Sequence, residues 1–228
     1  MKIDNQANIP TNQLYKLENI YNSILKQTKD LDLLNFKGIK IVEDSLLNSL
    51  SDGHFESGII LLPKNKILNY LENENFDILK STIYHELCHV DLYNKLPRLH
   101  KLHKKYNELD NFVKSFTIMI YIEYLAHLKS SKLETIETQT DFFDSVYKLN
   151  YDFSNIEHKI YFIKATPYII GRDINGNYVN KIKNMDFKNR IEEVKKVLIK
   201  LPKENFIDDY NILNELEKIV SKYITNDL

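Results

Sequence analysis

The 228-residue chain carries one cysteine, five glycines and five prolines, and each scarcity excludes something. A single thiol, Cys88, cannot close an internal disulfide, so stability must come from packing or from a bound metal. So little glycine and proline leaves few turn signals, which favours long helices. The longest apolar stretch, around Ile118–Ile122, falls far short of the roughly 20 residues needed to cross a bilayer. The opening segment MKIDNQANIP has no apolar h-region, so a secretory signal is not expected and the expected address is the cytoplasm. Lys and Arg total 31 against 32 Asp and Glu, a net charge of −1. No global field gathers a polyanion, and no nucleic-acid partner is expected.

What is present is a globular composition, 43% hydrophobic and 28% charged, which fits neither a disordered tail nor a membrane protein. A compact chain of this length buries roughly 70% of its unfolded surface. No internal repeat, low-complexity tract or linker interrupts it, so a single domain over 1–228 is the economical reading. Within it, about 1–95 reads as a small sheet with one motif helix and about 96–228 as a helical part. The expected class is α+β and mostly helical.

Leu14, Leu17, Ile20, Tyr21 and Leu25 recur at helical spacing after Pro10 and predict a first helix. Lys37–Val42 and Ser57–Leu62 read as short strands separated by the polar segment 45–56. Ile78, Leu79, Ile83, Leu87 and Val90 form one stripe and predict a helix over 75–94, with Pro97 just beyond it. A long helical run is expected over 106–130, and helical character again from about Leu133, with amphipathic segments at 190–201 and 210–223. Pro167, Gly171, Asn175 and Gly176 place a loop or hairpin at 166–180.

The helix expected over 75–94 contains His85-Glu86-Leu87-Cys88-His89, an H-E-x-x-H pattern. Imidazoles at i and i+4 lie about 40° apart around a helix and one turn apart along it, so both can reach one metal ion. Neutral imidazole suits zinc. Glu86, rotated by about 100° from His85, can lean toward a metal-bound water without displacing it, as a general base requires. The chemistry implied is amide hydrolysis.

On these residues the chain resembles the zincin metallopeptidases. The resemblance implies a zincin-like fold, His85 and His89 as zinc ligands and Glu86 as catalytic base. It also implies a small sheet before the motif helix whose edge strand binds extended substrate, and Ser57–Leu62 occupies that place in chain order; read from its residues alone, this segment is equally a buried core strand. A strand edge has a physical reason to bind peptide, since it offers unpaired amide and carbonyl groups.

A catalytic zinc usually has three protein ligands, and two candidates compete for the third place. Glu123 stands in the apolar run FTIMIYIEYLAHL, where an acid is costly unless it meets a cation. Glu123-Tyr124-Leu125-Ala126-His127 resembles the downstream glutamate helix of gluzincins, and its E-x-x-A core is similar to that of ImmA/IrrE-type metallopeptidases of phages and mobile elements. That likeness implies cleavage of a repressor or other regulatory protein. The other candidate is the pair His100 and His103; with the HELCH spelling it resembles SprT-like proteases, although Lys104 follows His103 where that family usually has glycine. Lys101, Lys104 and Lys105 make this segment read as a solvated face, and Glu123 is preferred. His127 shares a face with Glu123 and joins Glu86 as a candidate catalytic residue: it can hydrogen-bond a ligand carboxylate, stabilise the oxyanion, or pack.

Weaker candidates surround this set. Cys88 reads as a small packed thiol, and Asp91 as solvated surface or an orienter of a ligand histidine. His158, Tyr161, Tyr168 and Tyr178 are eligible oxyanion donors, and Arg172 is a turn arginine or a carboxylate binder. The expectation is therefore a zinc metallopeptidase with one ion held by His85, His89 and Glu123, acting on a peptide or protein. The alternative is a non-catalytic zinc-binding regulatory protein on the same scaffold; a structural site, however, has no need of Glu86.

Overall fold

A computed structural model describes residues 3–47, 53–133, 154–173, 179–203 and 208–225. These fall into two compact units. One holds the described residues up to Lys95 with Lys132 and Leu133, and the other holds Leu96–Ser131 and the described residues from Ser154 on. Taken together, the described elements are α+β and mostly helical, with one small sheet.

In the first unit, strands β1 (Ile3–Asn5), β2 (Gly38–Val42), β3 (His54–Glu56) and β4 (Ile59–Pro63) form a sheet in the order β1-β2-β4-β3. Both β1 and β4 run parallel to β2, while β3 runs antiparallel to β4. Parallel neighbours need a crossover, which helix α1 (Thr11–Gln27) supplies between β1 and β2. The antiparallel pair needs only Ser57 and Gly58, whose φ angles of 50° and 89° are both positive, the backbone a two-residue hairpin turn demands. A Cβ at Gly58 would lie 2.5 Å from the Asn35 carbonyl oxygen, so a side chain is excluded there. Ile39 pairs with Ile60 and Ile41 with Leu62, and all four are fully buried.

This topology decides between the two readings of Ser57–Leu62, correcting the edge strand in favour of the buried core strand. Ser57 and Gly58 form the turn, and β4 lies inside the sheet with β2 on one side and β3 on the other. Among the described residues the sheet edge on this side belongs to β3, whose three residues are too short to show a period-two pattern. Helices α2 (Lys64–Glu72) and α3 (Phe76–Lys95) follow. Every residue of α3 from Ile83 to Leu92 is buried, so the expected single stripe is in fact a helix enclosed on all sides around its centre.

The second unit contains α4 (Pro97–Glu108), α5 (Phe112–Ser130), α6 (Ile156–Arg172), α7 (Met185–Leu198) and α8 (Asn214–Thr225). Helix α5 packs against α4, α6 and α8. The expected continuous run over 106–130 is broken between α4 and α5. Asp110 adopts φ 53°, the Asn111 N–H bonds back to the Tyr106 carbonyl at 2.9 Å and the Asp110 N–H to Asn107 at 3.2 Å. This left-handed helix stop normally uses glycine; with Asp in that place the sequence carries no obvious signal. Asn111 Oδ1 then accepts the Lys114 N–H at 3.2 Å and caps α5.

A loop expected from 166 is also corrected, because α6 continues through Pro167 to Arg172. An internal proline costs roughly 3 kcal/mol. Phe162, Ile163, Ala165, Ile169 and Ile170 are all buried, and full burial of each large side chain among them contributes about 1.5–3 kcal/mol, so packing outweighs the break. Asn175, Gly176 and Tyr178, and the helical character expected over 134–153, lie outside the described residues. Among the described residues no helix is long and apolar enough to cross a membrane.

Candidate metal centre

The first unit supplies the two histidines. One helical turn apart on α3, His85 and His89 bring their Nε2 atoms to 3.0 Å, with ring planes 88° apart. Tetrahedral zinc with bonds of about 2.0–2.1 Å to nitrogen sets two ligand atoms about 3.3 Å apart, so this pair fits two corners of such a site. Their neighbour Glu86 is 6% exposed. Gly53 brings the chain entering β3 against it: a Cβ at Gly53 would stand 3.0 Å from Glu86 Cγ and 3.2 Å from Oε1. Two residues further, in the middle of β3, Phe55 lies parallel to His89 at 6.5 Å between ring centroids and meets Tyr93 edge-on. Neither Gly53 nor Phe55 stands out in sequence, because a short edge strand carries no pattern that ties it to a helix thirty residues on.

Asp91 and Cys88 belong to the same helix. Cys88 is fully buried, a packed thiol as expected. Asp91 is 1% exposed, which overturns the reading of it as solvated surface. Its carboxylate accepts the Asp32 main-chain N–H at 2.7 Å and the Lys95 ammonium at 2.9 Å. Asn94 adds a bond to the Asp32 carbonyl at 2.8 Å. The segment entering β2 is thus fastened to the turn of α3 that follows His89.

The second unit supplies the acid. Glu123 and His127 lie on one face of α5, as the i,i+4 spacing predicts, with Glu123 Oε2 and His127 Nε2 3.7 Å apart. Helix α6 closes over this face. Arg172 Nε donates to His127 Nδ1 at 3.3 Å, and Tyr168 meets the His127 ring edge-on at 4.1 Å. The approach depends on Gly171, where a Cβ would lie 2.6 Å from His127 Cβ. The reading of Arg172 as a turn residue is therefore corrected: it is the last residue of a helix and is directed at a candidate site residue. Its signal was masked by Pro167 and Gly171, which announce a loop when read locally.

On α4, the lysines at 101, 104 and 105 are exposed while His100 and His103 are half-buried, so only one side of that helix is a solvated face. Burial holds the His103 imidazole below its ordinary pKa, with the Glu123 carboxylate pulling the other way. The two competing candidates for third ligand therefore stand near one another in the same unit. His158 is half-buried and Tyr161 is 40% exposed.

The donor chemistry suits zinc, with two imidazoles in the first unit and a carboxylate flanked by histidine in the second. No family model, curated protein or solved structure matches the chain.

Proposed function

We propose that the protein is a zinc-dependent hydrolase in which His85, His89 and Glu123 hold one ion. More particularly, it is read as a gluzincin-like peptidase acting in the cytoplasm on a peptide or regulatory protein. The observation that carries this reading is the pair of Nε2 atoms 3.0 Å apart on the H-E-x-x-H helix, with the buried Glu86 between them in sequence.

When bound, zinc supplies a Lewis acid that acidifies water and polarises a carbonyl. Glu86 takes the proton from the attacking water and returns it to the leaving amine nitrogen, which is why an acid rather than an amide is needed at this place. The Gly53 backbone limits the space in which the Glu86 side chain can move. Phe55 flanks His89 with its ring parallel to the imidazole. An extended peptide can add to the open edge of β3, which leaves main-chain groups to be paired. The lone Cys88 leaves no internal disulfide for an oxidising compartment to maintain, and this favours the cytoplasm.

The test compares the wild type with Glu86→Gln for zinc content and for cleavage of a broad peptide library and of candidate regulatory proteins. Bound zinc in both with cleavage only by the wild type supports the peptidase. Wild-type protein that holds zinc yet cleaves nothing overturns the enzyme in favour of a zinc-binding regulatory protein. Absence of zinc from both removes the metal site itself.

A further inference from the structure

His127 is 2% exposed, and its surroundings decide which ring nitrogen carries the proton. Arg172 Nε donates to Nδ1 at 3.3 Å. A guanidinium has only donors, so Nδ1 must accept, and the proton of the neutral ring resides on Nε2. That edge is the one turned toward Glu123, with Oε2 3.7 Å away, close enough for attraction but longer than a hydrogen bond.

The arginine is not on a loose end. Asp173 follows it, is 3% exposed, donates its N–H to the Ile169 carbonyl at 3.0 Å and accepts the Val179 N–H through Oδ2 at 2.7 Å. Tyr168, one turn earlier on α6, holds the ring edge-on. Gly171 lets the helix backbone come close enough for both contacts.

We propose that Arg172 is a positioning residue that, by donating to Nδ1, fixes the His127 proton on Nε2 and so presents a donor to the Glu123 carboxylate. Ligand carboxylates held by such outer donors keep their orientation, and loss of the donor typically costs about 10–100-fold in metal affinity. The tautomer part stands on the second unit alone; the affinity part rests on the reading of Glu123 as a zinc ligand.

The experiment uses full-length, metal-free protein labelled with 15N-histidine, in which long-range proton–nitrogen correlations report each imidazole tautomer and the missing signal of His127→Gln assigns that residue. The wild type is expected to show protonated Nε2 and bare Nδ1. In Arg172→Met the tautomers mix and zinc affinity falls at least 10-fold, and Arg172→Lys restores both in part. A wild-type proton on Nδ1 overturns the proposal without any change at Arg172, so it remains testable if Arg172→Met fails to fold. An altered tautomer with unchanged zinc affinity overturns the positioning role. If Glu123→Ala keeps its zinc, the ligand reading fails while the tautomer result stands, so the two failures are distinguishable.

Discussion

Asp91 accepts the main-chain N–H of Asp32 at 2.7 Å across 59 residues of sequence. The same carboxylate meets Lys95, but that ammonium is 43% exposed and an i,i+4 pair of this kind contributes only about 0.3–0.5 kcal/mol. A buried bond to a charged acceptor contributes about 1.5–3 kcal/mol. Asp91→Ala is therefore expected to lower unfolding stability by about 2–3 kcal/mol, and Asp91→Asn, which keeps an acceptor oxygen, by distinctly less. Urea denaturation of both variants measures this. Equal losses would show that charge, rather than the bond to Asp32, governs the contact.

Zinc is expected to stabilise the folded chain through the histidine pair of α3. At free zinc 100-fold above its dissociation constant, the gain is about 2.7 kcal/mol, read as a rise in thermal midpoint that a chelator reverses. His89→Ala, which leaves a single imidazole, should abolish the zinc-dependent rise. A midpoint that zinc shifts equally in the variant would place the ion elsewhere.

Gly171→Ala sets two effects against each other. Replacing a helical glycine gains roughly 1 kcal/mol in propensity. The new methyl would stand 2.6 Å from His127 Cβ and 3.1 Å from the Leu128 nitrogen and the Tyr124 carbonyl oxygen, none of which can swing aside as a rotamer. Overpacking of this kind costs about 1–3 kcal/mol, so net destabilisation is expected by chemical denaturation, with loss of the His127 tautomer preference. A variant as stable as wild type would mean that α5 and α6 separate freely.

Glu193 links α7 to α8. The Tyr223 hydroxyl donates to its carboxylate, and Lys222 reaches both oxygens at 3.0 Å. The Tyr223 bond is the largest influence and, with Lys222 and Arg190, holds its pKa below the ordinary 4.5 although burial pushes the other way. A depressed folded-state pKa contributes stability above the unfolded value that is lost as pH falls through the folded one. Because the Glu193 side chain is 39% exposed, solvent keeps the contribution small. Tyr223→Phe should therefore narrow the fall in thermal midpoint between about pH 5 and about pH 3. An unchanged acid limb would remove Glu193 from that fall.

Helix positions were legible wherever apolar residues repeat. The stripe through Ile83, Leu87 and Val90 found α3, and the H-E-x-x-H spacing put His85 and His89 on one face before any coordinates. Local reading failed where the stopping signal was unusual. Asp110 ends α4 in a conformation usually left to glycine, and Pro167 sits inside a helix whose apolar neighbours hold it together. The short strands β1 and β3 carry too few residues to show a period.

By itself the sequence determined what depends on neighbours along the chain: helical faces, the histidine pair, and a glutamate with a histidine one turn later, all set by 3.6 residues per turn. Only the tertiary structure decided which strand is the open edge, that Asp91 is buried against Asp32, and that Arg172 rather than solvent meets His127. The β2–β4 pairing joins residues 21 positions apart, the Arg172–His127 contact 45 and the Asp91–Asp32 contact 59, and such pairs are chosen by packing and hydrogen-bond satisfaction across elements, which leave no period in the sequence to read.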